Sequence, residues 1–283
     1  MSGTRPLTVT LLTADPEHPL LAAATGLLRA AGHRVEPLHP AAPAPPAARP
    51  DVCLLKARTP QALALAGRLA GQGVPVVNSV AATAFCQDRQ QMADFALAVG
   101  LPFAPTRPAD LATLTVTDPV VVKSRHSRRG DLVAAATSTA QIRELAARWP
   151  DEPVVVQPLA PNDGWDRKLW VVDGTVFAER RRSELADQGA LPGGAHGTGA
   201  LARRPLPSAD LPADWRELVL ATGELFCLDV YGVDILDVAG APLIVDVNAF
   251  PGIRGQDGAP QALADLAVST ATGARRLREP SRA

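Results

Sequence analysis

The sequence predicts an α/β (α+β) fold, and three observations support that class. Apolar runs typical of strands alternate with amphipathic helical patterns between residues 7 and 78, as in a small parallel sheet covered by helices. Two pairs of apolar runs joined by short glycine-containing turns predict β-hairpins in the second half of the chain. The length of 283 residues, 47% of them hydrophobic, is enough for two or three compact units.

Composition excludes several classes of protein. The formal net charge of −1 gives no electrostatic footprint for nucleic acid. No run approaches the roughly eighteen apolar residues of a membrane span, so no membrane contact is expected. Residues 1–15 hold a short alternating run, which predicts a first strand rather than a signal peptide. Cysteine occurs only at Cys53, Cys86 and Cys227, without a CxxC pair, which is typical of reduced thiols in a cytoplasmic protein.

The first 78 residues are predicted to form an N-terminal α/β domain. Its helices are placed by amphipathic patterns that end at glycine, and its third and fourth strands follow a proline-rich connector. It lacks a GxGxxG sequence after its first strand, which argues against a dinucleotide-binding domain. The predicted strands cover residues 7–12, 34–38, 51–56 and 74–78, and the predicted helices cover residues 20–31 and 60–73.

A basic loop is the main feature of residues 79–156. A helix over residues 88–99 precedes two strands, 119–123 and 132–137, and Lys123 ends the first of them. The loop between them reads SRHSRRGD and contains one glycine. One interpretation is a flap over phosphates, in which Lys123 supplies a point charge and the loop backbone supplies amide donors. The other is an exposed hairpin tip with solvated arginines, and the residues leave both open.

The dipeptide Asp173-Gly174 predicts a type I′ hairpin between strands 166–172 and 175–182. In that register Lys168 lies opposite Glu179, and Asp166 lies opposite Arg181. These four side chains either form two exposed salt bridges or provide a polar floor for an anionic ligand. The second interpretation is favoured because Lys168 is one of only three lysines among 28 basic residues; the others are Lys56 and Lys123.

A third hairpin carries the candidate metal site. The runs 233–238 and 243–247 flank a predicted three-residue loop, residues 239–241, and that register places Asp234 opposite Asp246. Asn248 lies on the same strand face as Asp246 because side chains alternate. Two facing carboxylates repel each other unless a cation lies between them, and with an amide oxygen they suit Mg²⁺. The alternative is that both aspartates point to solvent.

The remaining segments are a glycine-rich loop, two helices and a tail. Residues 187–199 either close over a substrate, with His196 as a donor, or form a flexible crossover. Helices are predicted over residues 214–228 and 259–272. Residues 274–283 are basic and are predicted to be disordered.

Taken in order, a series of motifs resembles the ATP-grasp superfamily. The chain is similar to the group that contains the ribosomal-protein glutamate ligase and the lysine-biosynthesis carrier-protein ligase. The resemblance covers about residues 76–258. It implies an ATP-grasp fold with an N-terminal Rossmann-like pre-ATP-grasp domain (1–78), a central subdomain with the phosphate flap (79–156) and a C-terminal subdomain with the magnesium site (157–273). The motifs are NSVAATAFCQDR, GLPFAPT, VVVKS, VVVQPL, DRKLWVVDG, RRRS, YGVDIL and VDVNAFPG.

The resemblance also implies roles for individual residues, with ATP and Mg²⁺ as cofactors. Two magnesium ions are expected, and Mn²⁺ is the alternative metal. The implied metal ligands are Asp234, Asp246 and Asn248, with Asp246 at a position where many relatives have Glu. The implied catalytic residues are Arg181 and Lys168. The implied nucleotide-binding residues are Arg89, Lys123, Asp166 and the hinge residues Gln157, Pro158 and Leu159.

Three functions follow from this resemblance. The leading hypothesis is an ATP-dependent carboxylate-amine ligase, which forms an acyl phosphate and ADP and then a C–N bond; its partners are a small carboxylate and an amine, such as an amino acid, a peptide or a carrier-protein tail. The second is a kinase for an inositol phosphate or other polyol, with residues 125–129 and His126 as its anion site. The third is a non-catalytic nucleotide-binding scaffold. The sequence does not determine the oligomeric state, although homodimers are common among similar proteins.

Overall fold

Three β-sheets form the framework of the protein. A computed structural model describes residues 5–128, 130–183, 185 and 202–280. No helix within these ranges combines the length and the apolar character that a membrane crossing requires. The strands are β1 Thr8–Leu12, β2 Arg34–Leu38, β3 Val52–Leu55, β4 Val76–Val77, β5 Arg107–Ala109, β6 Val120–Ser124, β7 Val133–Ala136, β8 Val154–Pro158, β9 Trp165–Val172, β10 Thr175–Arg182, β11 Arg203–Pro205, β12 Val230–Val238 and β13 Ala241–Ala249. The helices are α1 Pro19–Ala30, α2 Pro60–Gly71, α3 Val80–Phe85, α4 Arg89–Ala98, α5 Thr139–Arg148, α6 Ala213–Leu225 and α7 Ala259–Ala271.

The N-terminal sheet is parallel and has the order β2-β1-β3-β4, which confirms the predicted α/β alternation. Helix α2 begins where Thr59 accepts a hydrogen bond from the amide of Ala62, with proline at the next position. The buried Asn78, just beyond β4, joins this sheet to the C-terminal part. Its side-chain oxygen accepts from the amides of Asp229 (2.8 Å) and Val230 (2.9 Å).

The other two sheets are antiparallel, with the orders β5-β8-β6-β7 and β11-β10-β9-β12-β13. One face of the five-stranded sheet packs on α4 and α6 around a core that includes Met92, Trp215 and Tyr231. Near Trp170 and Val230 the sheet also packs against α7, which in turn contacts α1 of the N-terminal sheet. Short strands β5 and β11 and helix α3 are elements that sequence patterns did not predict, because runs of three to six residues carry little periodicity.

The predicted register of the β9–β10 hairpin is confirmed. Lys168 is paired with Glu179, and Asp166 with Arg181. Asp173 and Gly174 both have positive φ values, 46° and 79°, as a type I′ turn requires.

The β12–β13 hairpin has the predicted register at the aspartates but not the predicted loop. The turn contains two residues, Ala239 and Gly240, with φ values of 53° and 90°, and Val238 is paired with Ala241. A three-residue loop was therefore wrong. A β-bulge between Asp234 and Ile235 adds one residue to β13 and restores the pairing of Asp234 with Asp246.

Residues 274–280 belong to the tail that was predicted to be disordered, and two of them contact the folded part of the chain. Arg275 and Arg278 donate hydrogen bonds to the carboxylate of Asp229, at 2.9 and 3.2 Å, and Asp229 is fully buried. A buried carboxylate without a partner is costly, so these contacts fix the segment. Residues 281–283 lie outside the described residues.

Replacement of both arginines by methionine (Arg275→Met/Arg278→Met) is expected to lower the free energy of unfolding by about 3 kcal/mol at pH 7, because it leaves a buried charge unpaired. Burial raises the pKa of Asp229, so its protonated form favours the folded state. The loss should therefore shrink as pH falls from 7 to 5. Urea unfolding at both pH values measures this. The adjacent, exposed Arg276→Met is the control, and an equal loss at both pH values would contradict the account.

A glycine in α6 makes room for a buried tyrosine. A Cβ at Gly223 would overlap the ring and hydroxyl of Tyr231, whose hydroxyl donates to the carbonyl of Val219 at 2.9 Å. We expect Gly223→Ala to destabilise the protein by about 3 kcal/mol, since overpacking displaces the ring and its hydrogen bond. Gly67→Ala, at an exposed position in α2 with open space around it, should instead be stabilising by about 0.5–1 kcal/mol. Thermal or urea unfolding of the pair checks both signs.

Candidate active site

A cavity of about 230 Å³, here called cavity A, lies between the two antiparallel sheets. Strands β6, β7 and β8 form one wall, and β9, β10, β12 and β13 form the other. Its lining combines an apolar slot with a group of charged side chains. The lining residues are Arg89, Val121, Lys123, Val133, Gln157, Pro158, Leu159, Ala160, Asn162, Asp166, Lys168, Arg181, Ser183, Leu185, Asp234, Leu236, Val245 and Asp246.

Cavity A brings together ten of the eleven site residues that the sequence singled out. They come from seven elements spread over more than 150 positions, so their convergence is a property of the fold and not of a local motif. The exception is Asn248, which lines a neighbouring cavity. Loop residues 187–199, with His196, lie outside the described residues.

Asp246 is the centre of the buried charges. Its Oδ2 accepts a hydrogen bond from Nη2 of Arg89 at 3.1 Å, and Arg89 is held from the other side by Asp131 at 2.7 Å. Burial alone would raise the pKa of Asp246, but the positive charges of Arg89 and Lys123 outweigh it and the pKa lies below its ordinary value. Asp246 is therefore a carboxylate at neutral pH.

The β-bulge positions Lys123. The carbonyl of Val245, the extra residue in β13, accepts a hydrogen bond from the Lys123 ammonium at 2.9 Å. The side-chain Nε2 of Gln157 also donates to this carbonyl at 3.4 Å, and to the hydroxyl of Thr106 at 2.9 Å. Burial lowers the pKa of Lys123 to about 8, so the group is mostly charged at neutral pH and has no solvent shell to screen it.

Lys168 and Asp234 form an ion pair at the opposite wall. The pairing across β9 and β12 places these residues directly opposite each other, and neither side chain is more than 19% exposed. Arg181 lies on the same face of the sheet, paired with Asp166 across β9 and β10. This wall therefore carries alternating positive and negative groups at the mouth of cavity A.

The oxygen groups on this wall fit a hard cation. Asp234 and Asp246 are register partners that both line cavity A, and positively charged side chains now balance each carboxylate. Carboxylate oxygens with an amide oxygen suit Mg²⁺, which takes its remaining ligands from waters and phosphates. The described residues contain no group of three or more His, Cys, Asp or Glu side chains that could hold a metal. A metal here would depend on these two carboxylates and on ligands from a bound nucleotide.

A second cavity, here called cavity B, has a volume of about 560 Å³ and shares Lys168, Arg181 and Asp234 with cavity A. Asn248 lies here, and its side-chain oxygen accepts from Nη1 of Arg58 at 3.4 Å. Asp234 lines both cavities, Asp246 lines cavity A and Asn248 lines cavity B, so Asn248 as a third metal ligand stays a prediction from the sequence. The lining residues are Lys56, Arg58, Lys168, Trp170, Glu179, Arg181, Arg203, Asp234, Asn248, Phe250, Pro251, Gly252 and Arg254.

The basic loop after β6 does not present free cations in its described part. Arg125 donates to the carboxylate of Asp88 through two nitrogens, at 2.8–3.1 Å, and Arg128 pairs with Glu152 at 2.6 Å. Arg129 lies outside the described residues. Paired guanidinium groups on a surface loop make a poor anion site, because a ligand must first displace their partners.

Two groups of residues that line cavities A and B were not predicted from the sequence. The apolar residues Val121, Val133, Leu236 and Val245 of cavity A belong to strands and have the same pattern as core residues, so nothing in the sequence separates them from ordinary packing. Three cations of cavity B come from the loop after β3 (Lys56 and Arg58) and the turn after β13 (Arg254). The one signal for them was the scarcity of lysine, since all three lysines of the chain line cavity A or cavity B.

Comparison with curated proteins gives relatives that are named as ligases. The ribosomal protein bS6–L-glutamate ligase of Escherichia coli O1:K1 / APEC is 30% identical over 159 residues, which are 55% of this chain and 51% of the relative. The chain thus spans about half the length of the curated relatives it matches.

Solved structures show the same architecture. A RimK domain protein ATP-grasp from Sphaerobacter thermophilus DSM 20745 has a TM-score of 0.70 and 23% identity, and the match covers 91% of this chain and 98% of that one. The ATP-grasp ligase PsnB, complexed with a minimal precursor, Mg and ADP, has a TM-score of 0.66 and 18% identity over 95% and 99% of the two chains. At these identities the likeness shows the fold, and it confirms the α+β ATP-grasp prediction.

The family assignment comes from a model of the RimK-like ATP-grasp domain. It matches residues 109–265, more than half of the chain, and these residues include both walls of cavity A apart from Arg89. The chain belongs to the RimK-like ATP-grasp family.

Proposed function

We propose that the protein is an ATP-dependent, ADP-forming carboxylate-amine ligase. The observation that carries this proposal is the shared wall of the two cavities. Cavity A offers an apolar slot beside charged groups, as a nucleotide requires, and Lys168, Arg181 and Asp234 face both it and cavity B. A phosphate bound at this wall would meet a second molecule in cavity B, which is what phosphoryl transfer to a carboxylate requires.

In this proposal cavity A holds ATP. Val121, Leu159 and Leu236 contribute apolar surface for the adenine ring, and Gln157 provides polar atoms at the hinge. Lys123, in contact with Val245, presents its ammonium to the phosphates. Asp234 and Asp246 would hold Mg²⁺, which neutralises charge on the β- and γ-phosphates when it is bound.

The reaction has two steps. A carboxylate of the acid substrate attacks the γ-phosphorus, and the bond from phosphorus to the β–γ bridging oxygen breaks, so that an acyl phosphate and ADP form. The amine then attacks the acyl carbon, loses a proton and displaces phosphate, which leaves an amide. Arg181 and Lys168 line both cavities, and in this proposal they stabilise the negative charge of the transferred phosphoryl group. The reaction requires that water be kept away from the acyl phosphate, because water would hydrolyse it.

Cofactors and partners follow from the same reaction. We propose ATP with two magnesium ions, which Mn²⁺ could replace, and an acid and an amine as substrates. One of these is an amino acid, a peptide or a carrier-protein tail; the curated relatives named for a ribosomal protein support a protein or peptide partner. A homodimer and a cytoplasmic location stay predictions from the sequence.

The two alternative functions have less support. The kinase hypothesis relied on residues 125–129 as an anion site, and Arg125 and Arg128 are paired with Asp88 and Glu152. The scaffold hypothesis does not account for buried charges, such as Lys123 and Asp246, around a cavity open to a second ligand. Curated relatives named as ligases also favour the ligase.

The test is an assay for ADP and phosphate release with ATP, Mg²⁺ and panels of acids and amines. A ligase should release both products only when acid and amine are supplied together, and mass measurement should find an amide. Phosphate retained on an acceptor would indicate the kinase. Absence of any turnover, together with nucleotide binding, would indicate the scaffold.

A further inference from the structure

Cavity B has an excess of positive charge. Six basic and two acidic side chains line it, and both acids already have basic partners within the lining. Glu179 pairs with Arg203 at 2.7 Å, and Asp234 pairs with Lys168. Lys56, Arg58 and Arg254 therefore remain without an acid partner within 4.0 Å, as far as the described residues show.

Two of these three cations, Lys56 and Arg58, are held in place by neutral groups. The Lys56 ammonium donates to the carbonyl of Phe250 at 3.1 Å and lies 5.7 Å from the centre of its ring. Arg58 donates to the oxygen of Asn248 at 3.4 Å. Arg254 is exposed at the rim. The contacts fix the directions of the first two groups without neutralising their charge.

Lys56 is partly buried close to the charge of Arg58, whereas Arg58 is also attracted by the more distant carboxylates of Asp246 and Asp131. Burial, and then the nearby charge of Arg58, lower the pKa of Lys56 to about 8, and Asp15 opposes this only in part. An anion between the cations would remove the repulsion. Cavity B, at about 560 Å³, also lies in the range of small-molecule sites, roughly 300–1,000 Å³.

We propose that Lys56, Arg58 and Arg254 bind a second carboxylate of the acid substrate, so that the enzyme acts on acids with two anionic groups. The inference rests on the proposed ligase function. The acid, rather than the amine, is assigned to this site because the reacting carboxylate must reach the wall shared with cavity A. The part of the molecule remote from that carboxylate then extends toward the N-terminal sheet and its two cations.

The test uses hydroxylamine as the amine, so that acyl phosphate is trapped as hydroxamate whatever the natural amine is. Succinate, glutarate and adipate are compared with butyrate, valerate and hexanoate, which match them in carbon number. At least one dicarboxylate should have a kcat/KM about tenfold to a hundredfold above its partner, because charge-assisted hydrogen bonds are strong. Calorimetric titration of the same acids into nucleotide-free protein gives a readout independent of turnover.

Substitutions in cavity B test whether its cations cause the preference for dicarboxylates. Arg58→Met and Arg254→Met should each raise the KM for the preferred dicarboxylate about tenfold and leave the KM for the matched monocarboxylate unchanged. Arg254→Met is the variant least able to disturb folding, since that side chain is exposed. The control is Arg143→Met, an exposed arginine on α5 outside both cavities.

The failure of this inference can be told apart from failure of the proposed function. Equal use of the two acid series would overturn the inference and leave the ligase intact, and so would a preference that survives both cavity B variants. Hydroxamate from neither series would overturn the proposed function and this inference with it.

Discussion

Replacement of Asp246 by asparagine is expected to lower kcat/KM for ATP by about a thousandfold. A metal that stabilises transition-state charge contributes several kcal/mol, and each tenfold change in rate corresponds to about 1.4 kcal/mol of activation free energy. The amide removes a negative charge at the proposed ligand position while keeping the shape of the side chain. The loss should be smaller at high Mg²⁺ concentration, since weaker metal binding is partly overcome by mass action. ADP release measured against Mg²⁺ concentration gives both quantities.

Asp246 is both a proposed metal ligand and an ion-pair partner of Arg89, so the control must distinguish the loss of metal binding from the loss of this ion pair. Asp131 is the other carboxylate that holds Arg89, at 2.7 Å, and it does not line either cavity. Asp131→Asn should cost less than about tenfold and leave the Mg²⁺ dependence unaltered, because the proposed ligands stay in place. A similar loss in both variants would show that Asp246 acts through Arg89. Thermal unfolding of both variants shows whether each one is still folded at the temperature of the assay.

The candidate site could be predicted where short-range rules determine geometry. The Asp173-Gly174 turn fixes the register of β9 and β10, so the pairs of Lys168 with Glu179 and of Asp166 with Arg181 follow from counting. Strand alternation then assigns each residue to a face. These steps need no knowledge of the rest of the chain, and the structure confirms them.

The β12–β13 hairpin shows the limit of that reasoning. Two features that sequence counting does not reveal compensated for each other, a shorter loop and a bulge at Val245. The correct pairing of Asp234 with Asp246 was thus reached through a wrong loop. The bulge also turns the Val245 carbonyl toward Lys123, a contact between positions 122 residues apart that no local pattern encodes.

Cavity B could not be predicted because it forms where distant elements meet. Arg58 follows β3 in the N-terminal sheet, and its partner Asn248 lies 190 residues later. Their approach depends on how the N-terminal sheet packs against α7 and the five-stranded sheet, which is determined by long-range apolar contacts. Residue scarcity singled out Lys56, but only the tertiary structure gives it neighbours.

Arg181 offers a test of catalysis that separates chemistry from binding. We expect Arg181→Met to lower kcat by about a thousandfold with little change in the KM for ATP, because a cation that acts on the transferred phosphoryl group stabilises mainly the transition state. Arg181→Lys should give an intermediate rate, since it keeps the charge but loses the planar fork of donors. Steady-state rates of ADP release measure all three proteins.

The neighbouring arginine is a matched control for this prediction. Arg180 lies on the same strand with its side chain on the opposite face, where it pairs with Asp163 at 3.1 Å and contacts the ring of Trp165. Arg180→Met removes an equal charge from the protein but none from either cavity, so kcat should stay within about twofold, as for a surface ion pair. Equal losses in both variants would mean that net charge or folding, and not position at the shared wall, explains the effect. A raised KM for ATP with kcat unchanged in Arg181→Met would instead place Arg181 in ground-state binding of the nucleotide, and the assignment of a transition-state role would be wrong.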